Sequence, residues 1–475
     1  MNKEALMNKQ LSQNSHHMLS TNLADNAETG GSSWLSWLIV IWLAGITALL
    51  PIKIINLPSN FEMVDIWILM GLPVLLLIYG TGRHQIINLT YAIPIWIVIL
   101  SSLLSTFASP AASNSLVVMV KEIYLFVWFM AITVFLSVLN ASELRRVLYV
   151  WSGVVILHGL LIMAQFFSPE LWRFTNSLGG NLVEHDIYRP SGLFICGHAG
   201  CANKAALFQL LGFVPLLLAG FSKRTVTILG IFLFASILTT GSMGATLAFL
   251  SGAIVAVIAI AVLKKNLLVM TSYFLRIGFV ILLLGGVFYI IISLNQKYLN
   301  HFERITVGRF DKSSGARFNL WQRGIDVLLD HSAFLWGVGP ENFRVLDPAQ
   351  TDNQLHNDAL AFLVERGLIG MLGLALFAGI ALKRAISILQ MSNKTPDRAR
   401  FEMVVFLAVI VAAMVESLTH QIFRTRELWL VLALQEAVYF GMKTSQNEEL
   451  TNTGMNEPAH YRHGVLVRPK ATVDG

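Results

Sequence analysis

The stretch LHNDALAFLVERGLIGMLGLALFAGIALKR, residues 355–384, decides the fold class. From Leu368 to Leu382 it carries no polar side chain, and with the residues before it the run reaches the ~20 needed to cross a bilayer as a helix. Its entrance is polar: His356, Asn357 and Asp358 open it, and Glu365 and Arg366 follow before the apolar run begins. If the helix starts at Asn357, a rise of 1.5 Å per residue puts Glu365 roughly 12 Å below that start. A charge facing lipid at that depth is costly, so Glu365 and Arg366 are expected to face protein or a wet cavity.

The rest of the chain repeats this pattern. Of 475 residues, 55% are hydrophobic and 13% are charged, with a mean hydropathy of +0.63. Soluble domains carry roughly 25% charged residues, so this chain falls outside their class. Apolar runs recur at 34–52, 63–80, 88–106, 115–137, 147–167, 203–221, 225–241, 244–263, 273–294, 358–382, 402–422 and 427–442. An all-α integral membrane protein with about 12 transmembrane helices is expected. A transmembrane β-barrel would instead show ~10-residue segments of alternating hydrophobicity. Residues 1–33 are polar and lack the basic-then-apolar order of a cleaved signal, so the first span is expected to stay in place. Residues 443–475 read as a second solvated, disordered tail.

Orientation follows from lysine and arginine. With a cytoplasmic N-terminus, the inner connections hold Arg83, Arg145, Arg146, Lys223, Arg224, Lys264, Lys265, Arg276, Lys383, Arg384, Lys394, Arg398 and Arg400. The four shortest outer connections hold only Lys53, Arg424 and Arg426, so both tails are expected inside. The net charge of +6 needs no nucleic acid, since this rule and the lipid headgroups account for it. Two long connections, 168–202 and 295–357, then lie outside. Loops of that length in a compact domain are usually functional.

In the first of them Tyr188, Arg189, Pro190, Ser191 and Gly192 form a turn-rich lead-in to the next span. An arginine there either snorkels to headgroups or contacts a ligand. The second loop contains SSGARFNLWQRGIDVLLDHSAFLWGVGPENF, 313–343. From Ser314 a helical period places Phe318, Trp321, Ile325, Leu328 and Leu329 on one side, and Arg317, Trp321 and Gly324 share a face. A short amphipathic helix resting on the outer interface is expected, ended by the Gly-Pro turn of WGVGPENF. The only cysteines, Cys196 and Cys201, read as two small semi-buried residues, with a disulfide open on an oxidising face and no companion ligands for zinc. The mid-span pair Lys121–Glu122 reads as a satisfied ion pair.

Two arginines and a histidine, Arg189, Arg317 and His356, therefore gather outside and beside lipid. Arginine offers a planar fork that binds phosphate bidentately and stays charged. Histidine can take a proton near neutral pH. The combination suits departure of a lipid-linked pyrophosphate as a hydroxyl attacks.

The order RPSGLF, TGSMGATLAFL, SGARFNLWQRGIDVLLDHSAFLWGVGPENF and HNDALAFLVERGLIG, over about 187–372, resembles the O-antigen ligase and polymerase superfamily. The order and side of these motifs carry the resemblance, rather than any one of them. It implies a metal-independent, inverting glycosyltransferase of the bacterial inner membrane, without a cofactor, that moves a glycan from undecaprenyl pyrophosphate to an acceptor hydroxyl at the periplasmic face. Carried over, Arg189 and Arg317 would bind the pyrophosphate and His356 would position and deprotonate the acceptor. Trp321, Asn357 and Glu365 match family positions expected to contact substrate or support those that do. Met243 stands where many relatives carry arginine, and Gly197–His198 where many continue His-Pro-Asn, so His198 is given no catalytic part. The His-Asn-x-x-Leu pattern leans towards a ligase that joins glycan to lipid A-core. A polymerase of lipid-linked repeat units, a protein glycosyltransferase and, from another class, a polysaccharide transporter are the alternatives.

Overall fold

The computed structural model describes residues 33–52, 62–80, 89–107, 109–177, 188–194, 201–265, 285–347 apart from 288, 354–392 and 397–454, with scattered positions from 268 to 278. No strand occurs among them. The helices are α1 (Ser33–Leu49), α2 (Met63–Gly80), α3 (Ala92–Phe107), α4 (Ala112–Ser137), α5 (Ala141–Phe167), α6 (Pro169–Ser177), α7 (Cys201–Leu211), α8 (Phe213–Leu218), α9 (Lys223–Thr239) and α10 (Met243–Lys264). There follow α11 (Gln296–Ile305), α12 (Val307–Asp330), the single turn α13 (Phe343–Leu346), α14 (Asp358–Met391), α15 (Asp397–Ser417) and α16 (Arg426–Gly454).

Among the described residues, five helical stretches are long and apolar enough to cross a membrane: α4, α5, α7 with α8, α10 and α14. Shorter apolar helices cover Trp34–Leu49, Met63–Ile78 and Ala92–Phe107. The chain is thus an α-helical membrane protein. Half of the expected ninth span, 273–294, lies outside the described residues, as do the segment around Cys196 and His198, 1–32 and 455–475.

The bundle is built by pairing. α10 runs along α15, α3 along α14, and α4 along α16, while α1 packs on α2 and α5. In the α1–α2 pair Trp42 Nε1 donates to Trp67 O at 2.9 Å and Trp67 Nε1 to Trp42 O at 2.8 Å, each indole lying over a glycine, Gly71 and Gly45, of the facing helix. Small residues allow that approach where hydrophobicity no longer discriminates helix from lipid. Leu69, Leu76, Ile93, Trp96, Val120 and Leu157 are exposed, as lipid-facing side chains should be.

Several expectations need correction. α12 is longer than the amphipathic pattern indicated, running from Val307 and preceded by α11. Its apolar residues split between two sides: Leu320, Val327 and Leu328 are buried, while Phe318, Ile325 and Leu329 are exposed. Residues 443–454 extend α16 instead of starting a disordered tail. Cys201 is disulfide-bonded, so the reading of two merely packed cysteines fails. Glu122 is not paired with Lys121. It binds Arg366 and, at 3.2 Å, Arg424, which reach it from α14 and from the connection between α15 and α16.

The polar entrance of α14 has a structural cause. Gly367 has φ 66°, ψ −169°, a region open essentially to glycine alone, and it breaks the helix after nine residues. A break at membrane depth is tolerable only if protein satisfies the freed backbone. The loop FLWGVGP, residues 334–340, does so. Val338 N donates to Val364 O at 3.0 Å, Gly339 N to Glu365 O at 2.9 Å, and Leu368 N to Phe334 O at 2.9 Å. Gly337 presses against the backbone of Glu365 and Arg366, where a Cβ could not fit.

Candidate active site

The site forms around a single turn, Thr240–Gly244, between α9 and α10. Arg189 reaches it from the first long loop: Nε donates to Thr240 O at 2.9 Å and an Nη2 proton goes to Asn203 Oδ1 at 2.9 Å. Gly241 lies against Ile305, just before α12. At Gly244 an added Cβ would meet Thr419 Oγ1, Glu416 Oε2 and His420 from the end of α15.

The Arg-Pro-Ser-Gly turn is held from beneath by buried amides and an imidazole. Gln165 Oε1 accepts from Ser191 N and Gly192 N, both at 2.9 Å, and its amide donates to Gly192 O at 3.0 Å. His158 Nε2 donates to Ser191 O at 3.3 Å while its Nδ1 accepts from Gln209 Nε2 at 2.8 Å. Buried polar groups arranged this completely fix a single conformation. The result is that Arg189, although on a loop, is buried and has a defined direction.

From α12, Arg317 Nη2 lies 3.5 Å from His420 Nε2. Burial pushes the Arg317 pKa below its ordinary value, and the Glu416 charge opposes that shift. His356 approaches the same imidazole, with ring centroids 6.3 Å apart. Its φ is 51°, the left-handed region that a residue other than glycine seldom occupies. Two contacts hold it there. Trp321 Nε1 donates to Leu355 O at 2.9 Å, and Asn357 caps α14 by accepting from Leu360 N at 3.0 Å. Asp358 Oδ2 accepts from Ile422 N and Phe423 N at 2.9 and 3.1 Å, tying this entrance to the loop after α15.

Glu365 and Arg366 face protein, as their depth required, with 4% and 0% of their surface exposed. They belong to an ion cluster. Arg366 binds Glu122, Glu365 at 3.3 Å and Ser102 Oγ at 2.9 Å, and Arg424 reaches Glu122, Glu341 and Glu365 at 3.2, 2.5 and 3.4 Å. Burial works against the charge on Arg424, yet Glu122, Glu365 and Glu341 together hold its pKa above the ordinary arginine value.

The structure therefore brings Arg317, His356 and Trp321 to one place. Asn357 and Glu365 are spent on a helix cap and an ion cluster. Arg189 joins the others through the Thr240–Gly244 turn. Sequence reasoning missed Glu416, His420 and the structural part of Arg424, which it counted as a loop charge. The signal was present in ESLTHQIFR, where Glu416 and His420 fall at i, i+4 at the end of an apolar helix. Residues 228–375 match the family model described as O-Antigen ligase. No curated protein sequence matches the chain.

Proposed function

From the match of residues 228–375 to the O-antigen ligase family model we propose that the chain is a member of the O-antigen ligase and polymerase superfamily, a glycosyltransferase that joins a lipid-linked glycan to lipid A-core. The donor is a glycan on undecaprenyl pyrophosphate, and the reaction takes place at the periplasmic face of the inner membrane. The observation that carries this reading is the convergence of Arg317 and His356 on one imidazole next to the broken entrance of α14.

In this mechanism Arg189 and Arg317 bind the pyrophosphate and stabilise the charge that develops as the sugar C1–O bond to phosphate breaks. Preorganised donors of this kind supply roughly 3 kcal/mol each in well-studied sites. His356 takes the proton from the acceptor hydroxyl as its oxygen bonds to C1 from the opposite face, so the anomeric configuration inverts. Undecaprenyl pyrophosphate is the leaving group. No metal or cofactor is needed, since the guanidinium groups supply the positive charge. Trp321, Asn357 and Glu365 support this arrangement: Trp321 and Asn357 fix the backbone on either side of His356, and Glu365 anchors the half-helix that follows it.

The test is a gel of lipopolysaccharide from a strain lacking the protein, complemented with wild type or with His356→Ala. Bare core, with long glycan left on the lipid carrier and no rescue by His356→Ala, is the expected result. Core capped by one repeat unit would instead identify a polymerase, and an unchanged profile would overturn the reading.

A further inference from the structure

Glu416 is 1% exposed, and neither of its oxygens has a hydrogen bond of good geometry among the described residues. Its one ion-pair contact among the described residues is with His420, whose Nδ1 lies 2.6 Å from Glu416 Oε1, and its charge is also felt at Arg317. A carboxylate buried at the end of an apolar helix is costly and calls for a function. The protons around it assign themselves. Arginine can only donate, so His420 Nε2, 3.5 Å from Arg317 Nη2, must offer its lone pair. The imidazole proton is then on Nδ1, which bonds with Thr419 Oγ1 and has Glu416 Oε1 as its nearest carboxylate oxygen at 2.6 Å. Thr419 Oγ1, 3.1 Å from the same Nδ1, donates its own proton to Glu416 O at 3.0 Å and can only accept from the ring. Nε2 is thus the ring atom that faces Arg317, and Nδ1 the one beside Glu416 and Thr419.

We propose that Glu416 and His420 form a carboxylate–imidazole pair that positions the Arg317 guanidinium for the transfer reaction. Glu416 fixes the ring and its tautomer, as the third member of a catalytic triad fixes a histidine. The ring in turn presents one acceptor to Arg317 and holds its fork towards the space shared with His356. Both residues of the pair lie beyond the family-matched stretch, and Gly244 leaves the room they occupy. They are positioning residues, and the inference rests on the glycosyltransferase reading above.

The experiment uses the full chain in detergent, with undecaprenyl-pyrophosphate-linked glycan and lipid A-core from the parent strain. Rates are compared for His420→Phe, His420→Gln, Glu416→Gln, Arg317→Lys and the double variant His420→Phe/Arg317→Lys. His420→Phe and Glu416→Gln are expected to lower kcat by roughly tenfold or more, with the donor KM nearly unchanged, because the pair acts on an interaction made in the transition state. His420→Gln should recover part of the loss, since its amide oxygen can accept from Arg317. In the Arg317→Lys background, His420→Phe should cost less than about twofold, because residues acting as a unit are not additive. Thermal midpoints close to wild type exclude misfolding, and Glu416→Gln, nearly isosteric, serves if His420→Phe does not fold. Wild-type turnover by His420→Phe or Glu416→Gln, equal losses for Gln and Phe at 420, or full additivity with Arg317→Lys would overturn the pair's role. A wild-type protein that transfers no glycan would sink the glycosyltransferase reading, and the inference with it.

Discussion

At the scale of single residues, the reaction and the fold place different demands on side chains a few positions apart. Arg317→Lys keeps the charge but loses the planar fork, so it should lower the transfer rate by roughly 10²-fold without shifting the thermal midpoint. Turnover in detergent, set beside an unfolding curve, checks both halves of that statement. His301 makes a separate demand. It stacks on Tyr188, the neighbour of Arg189, with ring centroids 3.9 Å apart, and its Nε2 is buried without a hydrogen-bond partner among the described residues. Burial, helped by Arg304, lowers its pKa to about 4 from an ordinary value near 6.5. The unfolded chain therefore binds this proton more readily than the folded one. The stabilising contribution is complete above pH ~6.5 and is lost as pH falls towards 4. Thermal midpoints of wild type should decline over that window more steeply than those of His301→Phe, which keeps the stack and cannot protonate; parallel curves would remove His301 from the account. Arg189, Arg317 and His356 were legible in the sequence because charge is rare in an apolar chain. Glu416 and His420 were not, because only the fold brings the end of α15 against Gly244 and α12.

At the scale of elements, the decisive feature is the interrupted helix α14. Gly367 occupies a conformation essentially closed to other residues, and a Cβ there would collide with the carbonyl of Leu335. Gly367→Ala should cost roughly 1–3 kcal/mol from backbone strain alone, and more from the displaced WGVGP loop. Gly379, in the same helix, has open space where its Cβ would be, so Gly379→Ala should be neutral or slightly stabilising. Unfolding midpoints of the two variants decide the matter, and equal midpoints would mean that the break carries no strain. The sequence showed a polar entrance and its depth, and correctly turned Glu365 and Arg366 inward. It did not show the break, because Glu-Arg-Gly inside a helical period reads as helix. Only pairing with a loop almost thirty residues earlier makes an interruption affordable. The two-sided α12 was missed for a related reason: a helix packed beneath by Leu320, Val327 and Leu328 and exposed above at Phe318, Ile325 and Leu329 has no single apolar stripe for periodicity to find.

At the scale of the whole molecule, charge acts twice, as a clamp inside the bundle and as an orientation signal outside it. The cluster of Glu122, Glu341, Glu365, Arg366 and Arg424 joins α4, α14, the WGVGPEN loop and the connection between α15 and α16. Arg366 and Glu122 are buried, so removing one leaves the other's charge uncompensated, and Arg366→Met should destabilise by roughly 3–5 kcal/mol. The double variant Glu122→Gln/Arg366→Met should regain part of that loss in the same unfolding assay. Arg424 and Arg426, the latter paired with Glu62 at 2.8 Å and Asp65 at 2.7 Å, are consumed by such contacts and give little orientation signal. Arg384, counted on the inner side, is likewise held by Glu436 at 2.8 Å, and with all three set aside most of the remaining lysines and arginines in short connections still fall on one side. The site should then face the periplasm and the Arg145–Arg146 connection the cytoplasm. Asn319 and Ser142 are exposed, on connections that the charge bias assigns to opposite sides, and Cys201 is held in a disulfide, so a cysteine placed at either position can be read by its own reactivity. In cells with a permeable outer membrane, Asn319→Cys should react with a membrane-impermeant maleimide while Ser142→Cys stays protected until the inner membrane is opened. Labelling in the opposite order would turn the molecule over, place Arg317 and His356 in the cytoplasm, and separate them from any acceptor on the periplasmic face.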